Sequence, residues 1–242
     1  MLISGALEKA KLYIETHSKE KDLHERGKFE KGPCITISRE TGAGADIISN
    51  KLIEIFQKYK KPNLPDWTIF EKNLIQKVIE DHNLPKTLTE IFDEKKYSSI
   101  LSFASEILVG QPSVHTLVYK TTQTILSLAE IGNVIIIGRG GNVVTSNLSN
   151  AFHIRLVSTF EDRVKHVTEV YGFDTKQAAE FLKKDDQTRR NYISTYFHKQ
   201  IDDPLLYHLT INTHRLKHDH AAEIIADAVM TKFPKCFNLS NE

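Results

Sequence analysis

The chain has 242 residues and a formal net charge of +1, which removes any bulk electrostatic case for a nucleic-acid or anionic-membrane partner. No apolar run approaches the ~20 residues of a membrane span, and the N-terminus lacks the charged-apolar-small order of a secretion signal. Two cysteines far apart, with Cys34 inside an apolar run, fit a reduced, cytoplasmic setting better than a disulfide scaffold.

Residues 1–31 form an appendage, helical in pattern over 2–14 and dense in mixed charge from 17 to 31. The domain proper is expected over 32–235, a length suited to one α/β domain with an inserted region. It opens with Cys34, Ile35, Thr36 and Ile37, a β-branched run that predicts a buried strand. A glycine-bearing turn, SRETGAGA, follows over 38–45, and a helical pattern runs over 46–59. Strand, glycine turn and helix bring backbone N–H groups to one small volume and favour an anion there. A full phosphate-binding loop places Lys and then Ser or Thr after its last Gly; here Ala45 and Ile47 hold those positions. Arg39, inside the turn, is the nearest replacement cation. An ordinary strand-turn-helix fits the same residues.

Prolines and Asn break the chain over 60–65, and residues 67–70 read as a short strand or a turn. Helices are predicted over 71–82, from Thr87 with the capping-box partner Glu90, over 97–109 and over 113–130. The helical stretch 64–112 interrupts the strand-helix rhythm and reads as an insertion over a sheet edge. Residues 133–137 are a second buried strand, ending in Gly138-Arg139-Gly140-Gly141-Asn142. A charged residue among glycines at a strand's C-terminal end has little packing purpose, so Arg139 reads as a ligand residue. A third strand over 152–157, a helix over about 160–170, a turn at 171–174 and a helix from Thr175 follow. The fourth strand covers 207–212 and a closing amphipathic helix 220–233. Four strands alternating with helices predict a parallel sheet with helices on both faces.

The helix from Thr175 carries Lys183, Lys184, Asp186, Arg189 and Arg190. Asp186 and Arg189 lie three apart and share a face; taken alone, they fit a solvated helix with ion pairs. Tyr192, Tyr196 and Phe197 fit base stacking or the packing of this helix. Trp67 reads as a core residue rather than a pocket wall. His214, His218 and His220 have a weak metal-like spacing with no fourth ligand near.

Five stretches together carry a resemblance: ITISRETGAGADIISNKL at 35–52, NVIIIGRGGN at 133–142, FHIRLVSTFEDRVKHV at 152–167, DDQTRRNYI at 185–193 and YHLTINT at 207–213. In this order, over about 33–230, they resemble the cytidylate kinase-like branch of the P-loop nucleoside-monophosphate kinases. The resemblance implies a P-loop fold, a monophosphate-binding insertion (about 64–112) and a helical lid (about 172–200) holding Asp186, Arg189 and Arg190. In such kinases lid arginines close over the transferring phosphate, and a Gly-Arg-Asp turn holds the monophosphate. The chain departs from true cytidylate kinases at Ala45, at Ile47 and at Gly140, where they have Asp. The cytidylate kinase-like branch itself typically lacks the Lys and has a loop much like 38–44, though its helix often starts Arg-Glu and here starts Asp46-Ile47.

On this reading the chain is a nucleotide-dependent phosphotransferase. Ser38, Arg39, Thr41, Gly42, Ala43, Gly44, Ala45 and Asp46 would hold the donor phosphates. Arg139 and Gly140 would hold the acceptor, and Arg39, Arg189 and Arg190 would stabilise charge in transfer. The cofactors implied are ATP or another triphosphate and Mg²⁺, with Glu40 and Asp46 as carboxylates that could stand on the metal side. The alternative is a degenerate kinase-like module that binds a nucleotide or anion without turnover; a plain partner-binding domain is the third option. A homodimer through 97–131 is a further expectation.

Overall fold

The computed structural model describes residues 31–71 and 114–239. The appendage over 1–30, most of the expected insertion and its three helices, including the Thr87 capping box, lie outside the described residues. Five parallel strands form one sheet in the order β2-β3-β1-β4-β5. They are β1 (Cys34–Arg39), β2 (Thr68–Phe70), β3 (Val134–Ile137), β4 (Ala151–Val157) and β5 (Leu209–Asn212). The helices are α1 (Ala45–Tyr59), α2 (Val114–Ile131), the one-turn α3 (Gly141–Val144), α4 (Phe160–Tyr171), α5 (Thr175–Phe197) and α6 (His218–Lys232). No helix among the described residues is long and apolar enough to cross a membrane.

Both faces of the sheet are covered, so β3 is apolar at every position and β1 stays buried on both faces over Cys34–Ile37 rather than alternating with solvent. The period of two still sorts the side chains between faces. Ile35, Ile37, Ile135 and Ile137 pack with Ile48, Leu52 and Phe56 of α1 and with Ile225 and Val229 of α6. Cys34, Val134 and Ile136 pack on the other face with Ile125 and Leu128 of α2. Trp67 extends the first core: its ring centroid lies 4.5 Å from that of Phe56 and 6.2 Å from that of Phe237. Cys34 and Cys236 are both buried and unbridged.

The sheet has one strand more than the four the sequence predicts. Residues 68–70 are a strand because Thr68, Ile69 and Phe70 pair with Val134, Ile135 and Ile136 of β3. Three residues beside a proline-rich loop carry too short a pattern to separate strand from turn. β1 also runs two residues further than its apolar stretch, since Ser38 and Arg39 stay in register with Arg155 and Leu156 of β4. That extension carries Ser38 and Arg39 to the C-terminal edge of the sheet, where Gly138 ends β3.

Two polar pairs lie between β1 and β4, Ser38 with Arg155 and, deeper in the sheet, Thr36 with His153. Thr36 Oγ1 is 2.9 Å from Nδ1 of His153, its register partner on β4. Burial, helped by His208 and Lys232, pushes the His153 imidazole down to about 4. An unfolded histidine titrates near 6.5, so the unfolded chain takes up this proton first as pH falls. The stability His153 contributes is present above about pH 6.5 and lost on the way down to about pH 4. Between pH 7 and 4.5 it accounts for a loss of about 2–3 kcal/mol. Urea denaturation across that range should show the loss in the wild type and a clearly flatter profile in His153→Asn.

Candidate phosphate site between loop and lid

The turn after β1 opens α1 through two left-handed glycines, Gly42 (φ 80) and Gly44 (φ 77). Ala43 N donates to Glu40 O at 3.2 Å and closes the turn. The first amides of α1, on Ala45, Asp46 and Ile47, have no intrahelical acceptor, as at any helix start. They supply partial positive charge at the mouth of the loop. Ala45 itself is 7 % exposed and packs into the first core, so the position that Lys holds in a full loop is built here as core.

Helix α5 lies across this loop. It starts from a capping box between Asp174 and Gln177 and brings Asp185, Asp186 and Thr188 in as buried residues. Asp186 accepts from Thr41 N at 2.8 Å, from Thr41 Oγ1 at 2.7 Å and from Arg163 Nη1 at 2.5 Å. Asp185 accepts from Arg189 Nη2 at 2.8 Å and lies 3.0 Å from Thr41 Oγ1, sharing the single hydroxyl proton with the nearer Asp186. Arg189 Nη1 also donates to Thr41 Oγ1. Burial pushes the Asp186 carboxyl up, but the bonds from Thr41 N, Arg163 and Thr41 Oγ1 outweigh it and hold it below its ordinary value. The acid-base pattern of this helix is therefore not a solvated face. It is the buried seam between α5 and the loop, and Asp186 is 9 % exposed.

Beside the seam is a cavity of about 480 Å³, open mouth included, lined by Ser38, Arg39, Arg139, Gly140 and Arg189 among others. Arg39 reaches it because Gly138 has no side chain: a Cβ there would sit 2.1 Å from Arg39 Nη1. Arg39 Nη2 pairs with Glu71 Oε1 at 3.3 Å. Its guanidinium thus faces the end of β3, not the vacant Lys position. Gly138, Arg139 and Gly140 are all left-handed (φ 81, 57 and 71). For Arg139 this conformation costs about 1–3 kcal/mol, strain of the kind that collects at functional sites. Apolar walls come from Ile193, Ile201 and the ring of Tyr192. Tyr192 also packs against Tyr196 and Phe197, with centroids at 5.3 and 5.7 Å, so it serves both lid packing and the cavity wall.

Ser38 is fixed from behind. Arg155 Nη1 donates to its Oγ at 2.9 Å, and Tyr207 Oη stands 3.2 Å away. Arg155 Nη2 reaches Asp202 at 2.9 Å. Asp202 also takes Arg190 Nε at 3.2 Å, in a pair exposed to solvent. Arg190 is therefore held on the outer side of the lid and does not line the cavity. Glu40 accepts from Ser158 N at 3.0 Å and stands 3.6 Å from Arg163 Nε, so it ties the loop to the start of α4. Asp46 is exposed in the first turn of α1. His214 pairs with Asp162 at 2.5 Å, and among the described residues no group of three or more His, Cys, Asp or Glu could hold a metal ion.

Sequence reasoning missed Arg163, Asp185 and Arg155. Arg163 had a usable signal, since it stands four residues before the buried Val167 on the inner face of α4. Removing a buried charge's partner costs about 3–5 kcal/mol, whereas exposed pairs are worth about 0–1 kcal/mol. Asp186→Ala should lose stability on the larger scale and Arg190→Ala on the smaller, both read by chemical denaturation.

Comparison with known proteins adds to this geometry. No curated protein matches the chain in sequence. Among solved structures it is similar to an uncharacterized protein from Eubacterium ventriosum, with TM-score 0.59, 20% identity and coverage of 81% of this chain and 98% of that one. It is also similar to shikimate kinase from Acinetobacter baumannii, with TM-score 0.45, 14% identity and coverage of 84% and 96%. At 20% identity the likeness to the Eubacterium ventriosum protein is one of fold. The family model described as "Cytidylate kinase-like family" matches residues 34–215, which takes in β1, the loop, the GRGG turn, the lid and β5. The chain belongs to the cytidylate kinase-like family.

Proposed function

We propose that this chain is a nucleotide-dependent phosphotransferase, moving a phosphoryl group from ATP or another triphosphate to a nucleoside monophosphate or a similar small phosphorylated acceptor. The observation that carries the reading is the convergence of Arg39, Arg139 and Arg189 on one cavity at the C-terminal edge of β1 and β3. Phosphoryl transfer asks the protein mainly for positioning and positive charge. The amides that open α1 would take donor phosphates, and Arg39 and Arg139 the acceptor phosphate. Arg189, on the lid, stands between them and would meet the group in transit. Of the expected catalytic arginines, Arg190 keeps a supporting part through Asp202.

The triphosphate fits the residues present; a directly held Mg²⁺ fits them poorly. Ile47 offers no hydroxyl, Glu40 is bonded to Ser158 N, and Asp185 and Asp186 are committed to Thr41 and the arginines. No step is assigned to the metal.

A second reading is favoured by one observation. Asp186 already takes the Thr41 amide while Ala45 is core, a loop suited to binding without turnover in a regulatory module. The two readings separate in one assay: ADP release from ATP against CMP, dCMP, UMP and AMP. The first predicts turnover with at least one monophosphate. The second predicts a triphosphate-dependent rise in melting temperature and no ADP. In the first case Arg139→Ala should raise the acceptor KM by about 10-fold or more, the scale of one charge-assisted phosphate contact. Its ATP KM should change by less than about 3-fold, since Arg139 lines the acceptor cavity.

A further inference from the structure

The proposed reaction leaves the donor phosphates without an evident cation. Ala45 replaces the lysine and is buried. Arg39 is turned to the end of β3. Arg163 and Arg189 are neutralised by Asp186 and Asp185. Packed against the loop at Gly44 stands a residue that none of these networks uses.

His218 is the first residue of α6, and its imidazole lies directly on Gly44. A Cβ on Gly44 would sit 2.3 Å from His218 Nε2, so the bare, left-handed glycine (φ 77) that opens α1 is what lets the ring approach. The ring is half-buried, and neither of its nitrogens has a hydrogen-bond partner among the described residues. Asp46, Lys51, His166 and Asp219 face it; Lys51 and Asp219 pair with each other, and His166 meets it edge-on at 6.3 Å between centroids.

Resting on the phosphotransferase reading, we propose that His218 is the donor-side cation of this loop, taking a proton from solvent and donating from its ring to a donor phosphate seated on the α1 amides. Without a ligand the ring is held neutral near pH 7: burial lowers its pKa first and His166 next, against the opposing pull of Asp46 and Asp219. Phosphate charge at the loop adds to the pull of those carboxylates and brings the proton on. A lysine at Ala45 would be charged throughout the neutral range; a histidine makes nucleotide affinity depend on pH there.

The test is titration calorimetry of ATP at fixed Mg²⁺ at pH 6 and pH 8 with the full chain, its His218→Gln and its His218→Lys variants. The nucleotide's own ionisation is common to all three. Wild type should bind about 5–10-fold tighter at pH 6 than His218→Gln, the scale of one charge-assisted contact. That gap should shrink to less than about 2-fold at pH 8, where the imidazole is largely neutral. His218→Lys should bind tightly at both values. Running wild type in two buffers of different ionisation heat should show proton uptake on binding that His218→Gln lacks. If His218→Gln matches wild type at both pH values, or is weaker by the same factor at both, the inference is overturned while the phosphotransferase reading stands. If wild type binds no triphosphate, both are overturned. Should His218→Gln melt early, the pH profile of His218→Lys decides: a profile as steep as wild type contradicts the proposal.

Discussion

The hydrogen bonds that Asp186 accepts from Thr41 hold the site together. They join the turn after β1 to a helix 145 positions further along the chain. Through Arg163 the same carboxylate reaches α4, and through Arg189 and Asp185 the contact is doubled. A carboxylate this buried is tolerable only because donors surround it. The reverse also holds. Removing the carboxylate would leave Arg163 buried with only Glu40, at 3.6 Å, to answer its charge. Lid and loop are thus locked in charge as well as in shape.

That lock decides which arginines are available for a ligand. Arg163 is spent on Asp186 and Arg190 on Asp202, so neither faces the cavity. Arg39 and Arg139 arrive from the ends of β1 and β3, rigid elements next to each other in the sheet. Arg189 is divided: it grips Asp185 and Thr41, with Asp186 at 3.6 Å, while also lining the cavity.

The sheet was legible because its central strands are apolar runs bounded by glycines, and the period-two sorting of Val134 to Ile137 holds in the cores. The loop and the GRGG turn were legible for the same reason: glycines mark sharp turns at strand ends. β2 was not, since three residues carry no period. The spacing of Asp186 and Arg189, taken alone, fits a solvated helix, because sequence spacing shows which residues share a helix face, not what that face meets. Arg39 was placed by its position in the loop. Its direction depends on Gly138, on another strand, and no local pattern carries that. His218 was weighed only as a metal ligand, although its neighbour is the glycine at the start of α1.

The proposed reaction is transfer of a phosphoryl group between two ligands held by this arrangement. Phosphorus NMR of the purified chain with ATP, Mg²⁺ and CMP, followed over time, tests it most directly. The account predicts ADP and CDP resonances growing together, one for one, as ATP and CMP decline. ATP converted only to ADP and free phosphate, or a spectrum unchanged with CMP and with the other monophosphates, would contradict it.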